Sequence, residues 1–181
     1  MILIAAGRRI DDRHPEVEYF PERNVPLVKK GVEMFFAAHK ITALISSAAC
    51  GADLLVQEVA MELGIKRTIV LPFNEETFRK ISVVDRGGTW GELYDSLLNN
   101  ASVHVLGFSV EDHKAYNKVN DQIIAVGKAL AGKMQQAGVA LCLWNGVKKK
   151  SGDATDDFRI KAKTNGFAVK EINTLTGVCS F

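Results

Sequence analysis

Small, cationic and acidic residues fall together at several points of this chain in patterns suited to holding an anion. Ala43–Leu55 reads ALISSAACGADLL: a short apolar run breaks into serines, alanines, Cys50 and Gly51, and a helix-patterned segment starts at Ala52. Small residues between a strand and a helix let a ligand approach the backbone, and the free N–H groups of a helix start suit a phosphate. Ser47, Cys50, Gly51 and Ala52 are therefore candidate contacts, although the same small residues also allow plain close packing. Asp53, in the first helical turn, either answers the helix dipole or works as a carboxyl acid/base. Gly7-Arg8-Arg9 adds a flexible backbone and two guanidinium groups that could clamp an anion bidentately or pair with nearby acids. Gly146, Gly152 and Thr155, beside Asp156 and Asp157, repeat the theme near the end of the chain. Pro72–Trp90 holds Phe73, Phe78, Arg79, Asp85 and Arg86 in one polar segment and reads as a binding loop or lid. Phe73 or Trp90 could stack on a base or simply pack in the core.

These residues need a scaffold, and the hydrophobic pattern supplies one. Apolar, strand-sized runs occur at Met1–Ala6, Ala43–Ile45, Lys66–Leu71, Ser102–Phe108, Gly138–Trp144 and Phe167–Ile172. Helical spacing runs through Val25–His39, Ala52–Leu63, Trp90–Asn99 and Ala115–Gln136, and a further helix ends near Thr164 with Ser151, Asp153 and Thr155 as candidate N-caps. His14–Pro26 reads as an ordered loop. Strands alternating with helices predict an α/β fold, a Rossmann-like three-layer α/β/α arrangement around a mostly parallel sheet. Ligands of such sheets sit outside the carboxyl ends of the strands. That edge gathers Gly7–Arg9, Ser47–Asp53, Pro72-Phe73, Trp144–Gly146 and Gly152–Asp156. Residues 1–172 are expected to form one domain, with 173–181 a tail or the start of another segment.

Composition narrows the function classes. The 181 residues carry 23 basic and 21 acidic side chains, a net charge of +2, and are 47% hydrophobic. That suffices for a core but gives no basic stripe, so nucleic acid is not the expected partner, and Lys148-Lys149-Lys150 is too short to argue otherwise. No apolar run is long enough for a membrane span. Three cysteines and four histidines show no metal-ligand spacing, so no metal and no cofactor are expected, and a reducing cytoplasm fits the cysteine usage. Neither G-x-G-x-x-G nor the P-loop pattern is present, which sets aside dinucleotide dehydrogenases and P-loop NTPases.

The series GRRID, SSAACGADLL, LPFNEETFRKISV and WNG…SGDATDDF resembles the SLOG superfamily, which joins the DprA-type DNA-processing fold to the LOG cytokinin-activating phosphoribohydrolases. The resemblance spans about residues 2–172, and SSAACGADLL is its strongest element. It implies a Rossmann-like fold with a site for nucleotides or nucleotide-derived molecules. By analogy with related bacterial domains that accompany TIR or sirtuin-like modules, it also implies sensing of NAD-derived signals in antiphage defence. The LOG enzymes carry Pro-Gly-Gly-x-Gly-Thr-x-x-Glu with a catalytic glutamate. Here Trp144-Asn145-Gly146 stands in place of the first part, Phe158 occupies the glutamate position, and Tyr116–Gln122 offers Asn117, Lys118 and Asn120 in place of the family's arginine.

The expected function is thus binding of a nucleotide or NAD-derived nucleotide by a regulatory sensor domain. A LOG-like N-glycosidic hydrolase using Asp53, Asp156 or Asp157 is the alternative, and a DprA-type DNA-binding or assembly module is a third class. The expected partners are a nucleotide-derived small molecule and further copies of the chain in a homo-oligomer.

Overall fold

Continuous apolar runs become central parallel strands because both of their faces must be covered. In the computed structural model, which describes residues 1–150 and 152–180, the strands are β1 (Ile2–Gly7), β2 (Ala43–Ser46), β3 (Lys66–Leu71), β4 (Ser102–Val105), β5 (Gly138–Trp144), β6 (Ala168–Asn173) and β7 (Cys179–Ser180). They form one sheet in the order β4-β3-β2-β1-β5-β6-β7. All neighbours run parallel except β7, which lies antiparallel on β6. Register sets Ile4 beside Ile45 on one side and Ala140 on the other, so the first strand lies at the centre of the sheet.

The helices are α1 (Val25–Ala38), α2 (Ala52–Glu62), α3 (Glu75–Ser82), α4 (Trp90–Leu98), α5 (Ala115–Met134) and α6 (Ala154–Thr164). From β1 the chain steps outward to β4, and right-handed crossovers keep α1, α2 and α4 on one face. Val28, Val32, Phe35, Leu54, Leu55, Val59, Tyr94 and Leu97 bury that face with Leu3, Leu44 and Ile69. The chain then returns across the sheet. Val119, Ile123 and Ile124 of α5 and Phe158 and Ala162 of α6 cover Ile2, Ile4, Ile45 and Val70 on the opposite face. This is the Rossmann-like α/β fold expected from the alternation of elements. Reversal of strand order between β1 and β5 opens a crevice at their carboxyl ends, the usual ligand position of such sheets.

One segment differs from expectation. The stretch after Pro72 does not form a lid: Glu75–Ser82 is helical, with the Asn74 side chain accepting a hydrogen bond from the Thr77 amide at 2.8 Å. Asn74 followed by two glutamates is a legible helix start whose signal was masked by the surrounding polarity. The final residues, read from the sequence as a tail or the start of another segment, turn back after Asn173, and Cys179–Ser180 pairs with β6. Thr174 is fully buried there and donates to the Tyr19 carbonyl. Of the three candidate caps of α6, Asp153 is the N-cap, accepting from the Asp156 amide at 3.0 Å. Thr155 lies inside the helix, while Ser151, like the terminal Phe181, lies outside the described residues. Among the described residues no helix is long and apolar enough to cross a membrane.

Candidate functional site

A cavity of about 650 Å³ opens at the switch between β1 and β5. Its walls come from the end of β1 (Ala6–Ile10), the turn after β2 (Ser47, Ala49), the start of α5 (Tyr116, Val119, Asn120, Ile123) and the approach to α6 (Lys149, Lys150, Gly152, Ala154, Thr155). A further wall is the loop after β1, through Asp11, Asp12, Pro15, Glu16, Val17 and Tyr19. Its neck is tied by the Asp11 carboxylate, which accepts from the Tyr19 and Phe20 amides at 2.9 Å each. Asp11 also donates its own amide to the Phe20 carbonyl at 2.9 Å. The overhang expected from residues 72–90 is thus supplied by residues 11–19, and only Arg86 of the former segment reaches the cavity.

The turn after β2 is closed upon itself. Gly51, at φ +104°, is the helix N-cap, and a Cβ there would lie 2.8 Å from the Ile10 nitrogen. A left-handed backbone with no room for a side chain requires glycine. The Ala52 amide donates to the Arg8 carbonyl at 3.1 Å and the Cys50 amide to the Ser82 carbonyl at 3.0 Å. The Asp53 carboxyl group itself occupies this helix start, accepting from the Gly7 amide at 3.2 Å and the Ala49 amide at 3.3 Å. Burial raises its pKa to about 7, against the lowering influence of those two amides and of Arg9. A carboxyl lining a cavity and poised near neutrality can hold or release a proton in place.

The α6 start is built differently. Asp153 receives the Arg8 guanidinium at 2.5 and 2.9 Å and the Lys149 amide at 2.8 Å. Burial raises its pKa, but these donors outweigh that effect and hold it at about 2. Arg8 also donates to the Val147 carbonyl at 2.7 Å, and its guanidinium lies between the rings of Tyr19 and Trp144, 5.2 and 5.7 Å from their centroids. It is therefore a clasp joining β1 to α6, with its charge already matched. Arg9 pairs with Asp85 and Arg86 with Asp12. Lys149 makes no ion pair among the described residues; its Nζ lies 5.0 Å from the Tyr19 ring centroid, and burial together with Arg8 lowers its pKa. Five buried side-chain donors lack a hydrogen-bond partner among the described residues, and three of them are Nε of Arg8, Arg9 and Arg86; Arg86 Nε faces Asp85 Oδ2 at 3.7 Å.

Of the candidate ligand contacts, the structure brings Gly7, Arg8, Arg9, Ser47, Asp53, Arg86, Gly152 and Thr155 together around the cavity. Cys50, Gly51, Ala52, Phe73 and Gly146 stand outside its lining. Cys50 is fully buried, its Sγ 3.6 Å from Arg9 Nη2, and burial raises the thiol's pKa. Phe73 is buried and packs edge-on against Tyr116, with centroids 6.1 Å apart. Trp90 belongs to the core. Asp156 pairs with Arg159 at 2.8 Å, and Asp157 accepts from Lys161 and from Asn120 at 3.0 Å each, so neither lines the cavity. Tyr19, Tyr116, Asn120 and Lys149 escaped sequence reasoning as ligand contacts. A signal existed for two of them: Tyr116, Val119, Asn120 and Ile123 share one helical face, with two polar groups on an otherwise apolar stripe.

No family model matches the sequence, and no curated protein matches it. Solved structures do. The chain is similar to DNA processing protein A (DprA) from Streptococcus pneumoniae, at 13% identity over 92% of this chain and 57% of that one, with a TM-score of 0.43. It is also similar to DNA processing protein A from Helicobacter pylori, whose structure describes a single-stranded DNA binding mode, at 14% identity over 97% of this chain and 77% of that one, with a TM-score of 0.45. This chain thus spans little more than half the length of the streptococcal protein.

Proposed function

We propose that the cavity between β1 and β5 binds a nucleotide or an NAD-derived nucleotide, reversibly, as the ligand-sensing unit of a bacterial defence or signalling system. The observation that carries this reading is one cavity lined by Arg9, Arg86, Lys149 and Lys150 together with Gly152, Ala154 and Thr155 at the start of α6. A phosphate at this end meets Lys149, Lys150 and the helix dipole. Because Asp153 and Asp85 already match Arg8 and Arg9, the available charge suits a ligand with one or two phosphates rather than a polyanion. The volume falls within the range of about 300–1,000 Å³ common to small-molecule sites, and Tyr116, Val119 and Ile123 give the rest of the ligand an apolar wall.

A thermal-shift panel with AMP, ADP-ribose, cyclic ADP-ribose, NAD and a single-stranded oligonucleotide tests this reading, with chromatography of each mixture after incubation. Stabilisation grows with the ratio of ligand concentration to Kd. The expected result is a rise in Tm with one nucleotide recovered intact, reduced in Lys149→Ala and Arg9→Ala. No shift with any nucleotide, or a shift with the oligonucleotide alone, overturns it. The placement of Asp53 favours one second reading, hydrolysis of an N-glycosidic bond with this carboxyl as acid/base. Free base and ribose phosphate in the eluate, abolished by Asp53→Asn, would replace sensing by catalysis.

A further inference from the structure

We propose that Asn120 Oδ1 selects the ligand of this cavity by accepting a hydrogen bond from an amino or hydroxyl group of the bound nucleotide. This rests on the nucleotide reading above and adds the group that decides which nucleotide fits. Asn120 is 5% exposed, lies in the second turn of α5 and lines the cavity. Its amide orientation is set by its surroundings. Nδ2 donates to the Ala154 carbonyl at 2.8 Å and to Asp157 Oδ2 at 3.0 Å, and both partners can only accept. The opposite orientation would set an amide oxygen against two acceptors. Both amide hydrogens are therefore spent on α6, and Oδ1 is left with no partner among the described residues.

A fixed acceptor on a cavity wall is a strong discriminator. A ligand donor that meets it gains one hydrogen bond, whereas a ligand lacking the donor leaves the acceptor buried and unpaired. The surroundings sharpen the effect. Tyr116, Val119 and Ile123 flank Asn120 on the same helical face and line the same cavity, so along this wall it is the one carboxamide among apolar and aromatic neighbours. The cationic groups lie on the other walls, at the end of β1 and before α6, so a nucleotide with its phosphate there extends its sugar and base along α5.

The probes are AMP, purine riboside 5′-monophosphate (AMP without the amino group), 2′-deoxy-AMP and 3′-deoxy-AMP, titrated by calorimetry into the wild type and Asn120→Leu. The expected result is that removing one of these donors weakens wild-type binding about tenfold, the worth of one well-placed hydrogen bond. In Asn120→Leu the same pair of ligands binds equally. Loss with the amino-free analogue identifies the base as the source of the donor, and loss with a deoxy analogue identifies the sugar. A purely structural Asn120 would weaken every ligand in the variant and keep their ratio. Equal wild-type affinity for all four ligands, a preference that survives in Asn120→Leu, or no AMP binding overturns the proposal. The wild-type series decides even if Asn120→Leu does not fold. A nucleotide-induced shift in the earlier panel would still uphold the general reading where this one fails.

Discussion

The starts of α2 and α6 make an instructive pair. Both follow a central strand, both are reached through small residues, and both have an aspartate where a helix begins. At α2 the aspartate is inside the helix, and the chain's own Gly7 and Ala49 amides fill it. That turn has become an internal joint. At α6 the aspartate is the N-cap, an arginine just after β1 holds it, and Gly152, Ala154 and Thr155 lie on the cavity wall beside Lys149. In both, the chain supplies its own carboxyl group to the helix start, and what differs is the partner that holds it: backbone amides at α2, an arginine at α6.

The largest expected effect comes from breaking the α6 clasp. Arg8 and Asp153 are 3% and 2% exposed, so Arg8→Ala leaves a buried carboxylate without its partner. The expected loss is about 3–5 kcal/mol of unfolding free energy by denaturant titration. The pH dependence of the clasp follows from its depressed pKa: with Asp153 at about 2 in the fold against an ordinary 3.8, its contribution is complete above pH 4 and lost as pH falls through 2.

The α2 joint should respond to pH in the opposite sense. Asp53 has its pKa raised from 3.8 to about 7, so its protonated form is favoured by folding. Its contribution is complete below pH 4, and stability declines by a few kcal/mol as pH rises from 4 through 7. Asp53→Asn should remove that slope from the denaturation profile between pH 5 and 8. A parallel slope in the variant would show that Asp53 does not titrate there.

A smaller effect tests how tightly β1 and α2 meet. A Cβ on Gly7 would lie 2.3 Å from the Ala52 Cβ and 2.7 Å from the Leu143 carbonyl oxygen. Gly7→Ala should cost about 1–3 kcal/mol through overpacking, visible as a lower Tm. The mildest variant is Lys149→Ala beside the start of α6. Its stability should stay within about 0.5 kcal/mol of the wild type, while AMP affinity falls about tenfold in calorimetry at low salt. Equal AMP affinity in the two proteins would remove Lys149 from the phosphate end.

The sequence by itself determined the layers. Apolar runs such as Met1–Ala6 and Gly138–Trp144 can be covered only inside a parallel sheet, and the 3.6-residue spacing of Val119, Ile123 and Ile124 commits that segment to a helix lying on it. It also placed Arg8, Asp53 and Thr155 at one edge, because strand ends of a parallel sheet share a side. Tertiary structure alone decided what those residues do there. Whether Arg8 faces a ligand or Asp153 depends on a partner 145 residues away, and whether Asp53 is a surface carboxylate or a buried one poised near pH 7 depends on what covers it. The choice of residues 11–19 over 72–90 as the overhang, and of Asn120 as a fixed acceptor, likewise arises from contacts between distant segments. Local pattern encodes backbone conformation, but hydrogen-bond partnership and desolvation are properties of the assembled neighbourhood.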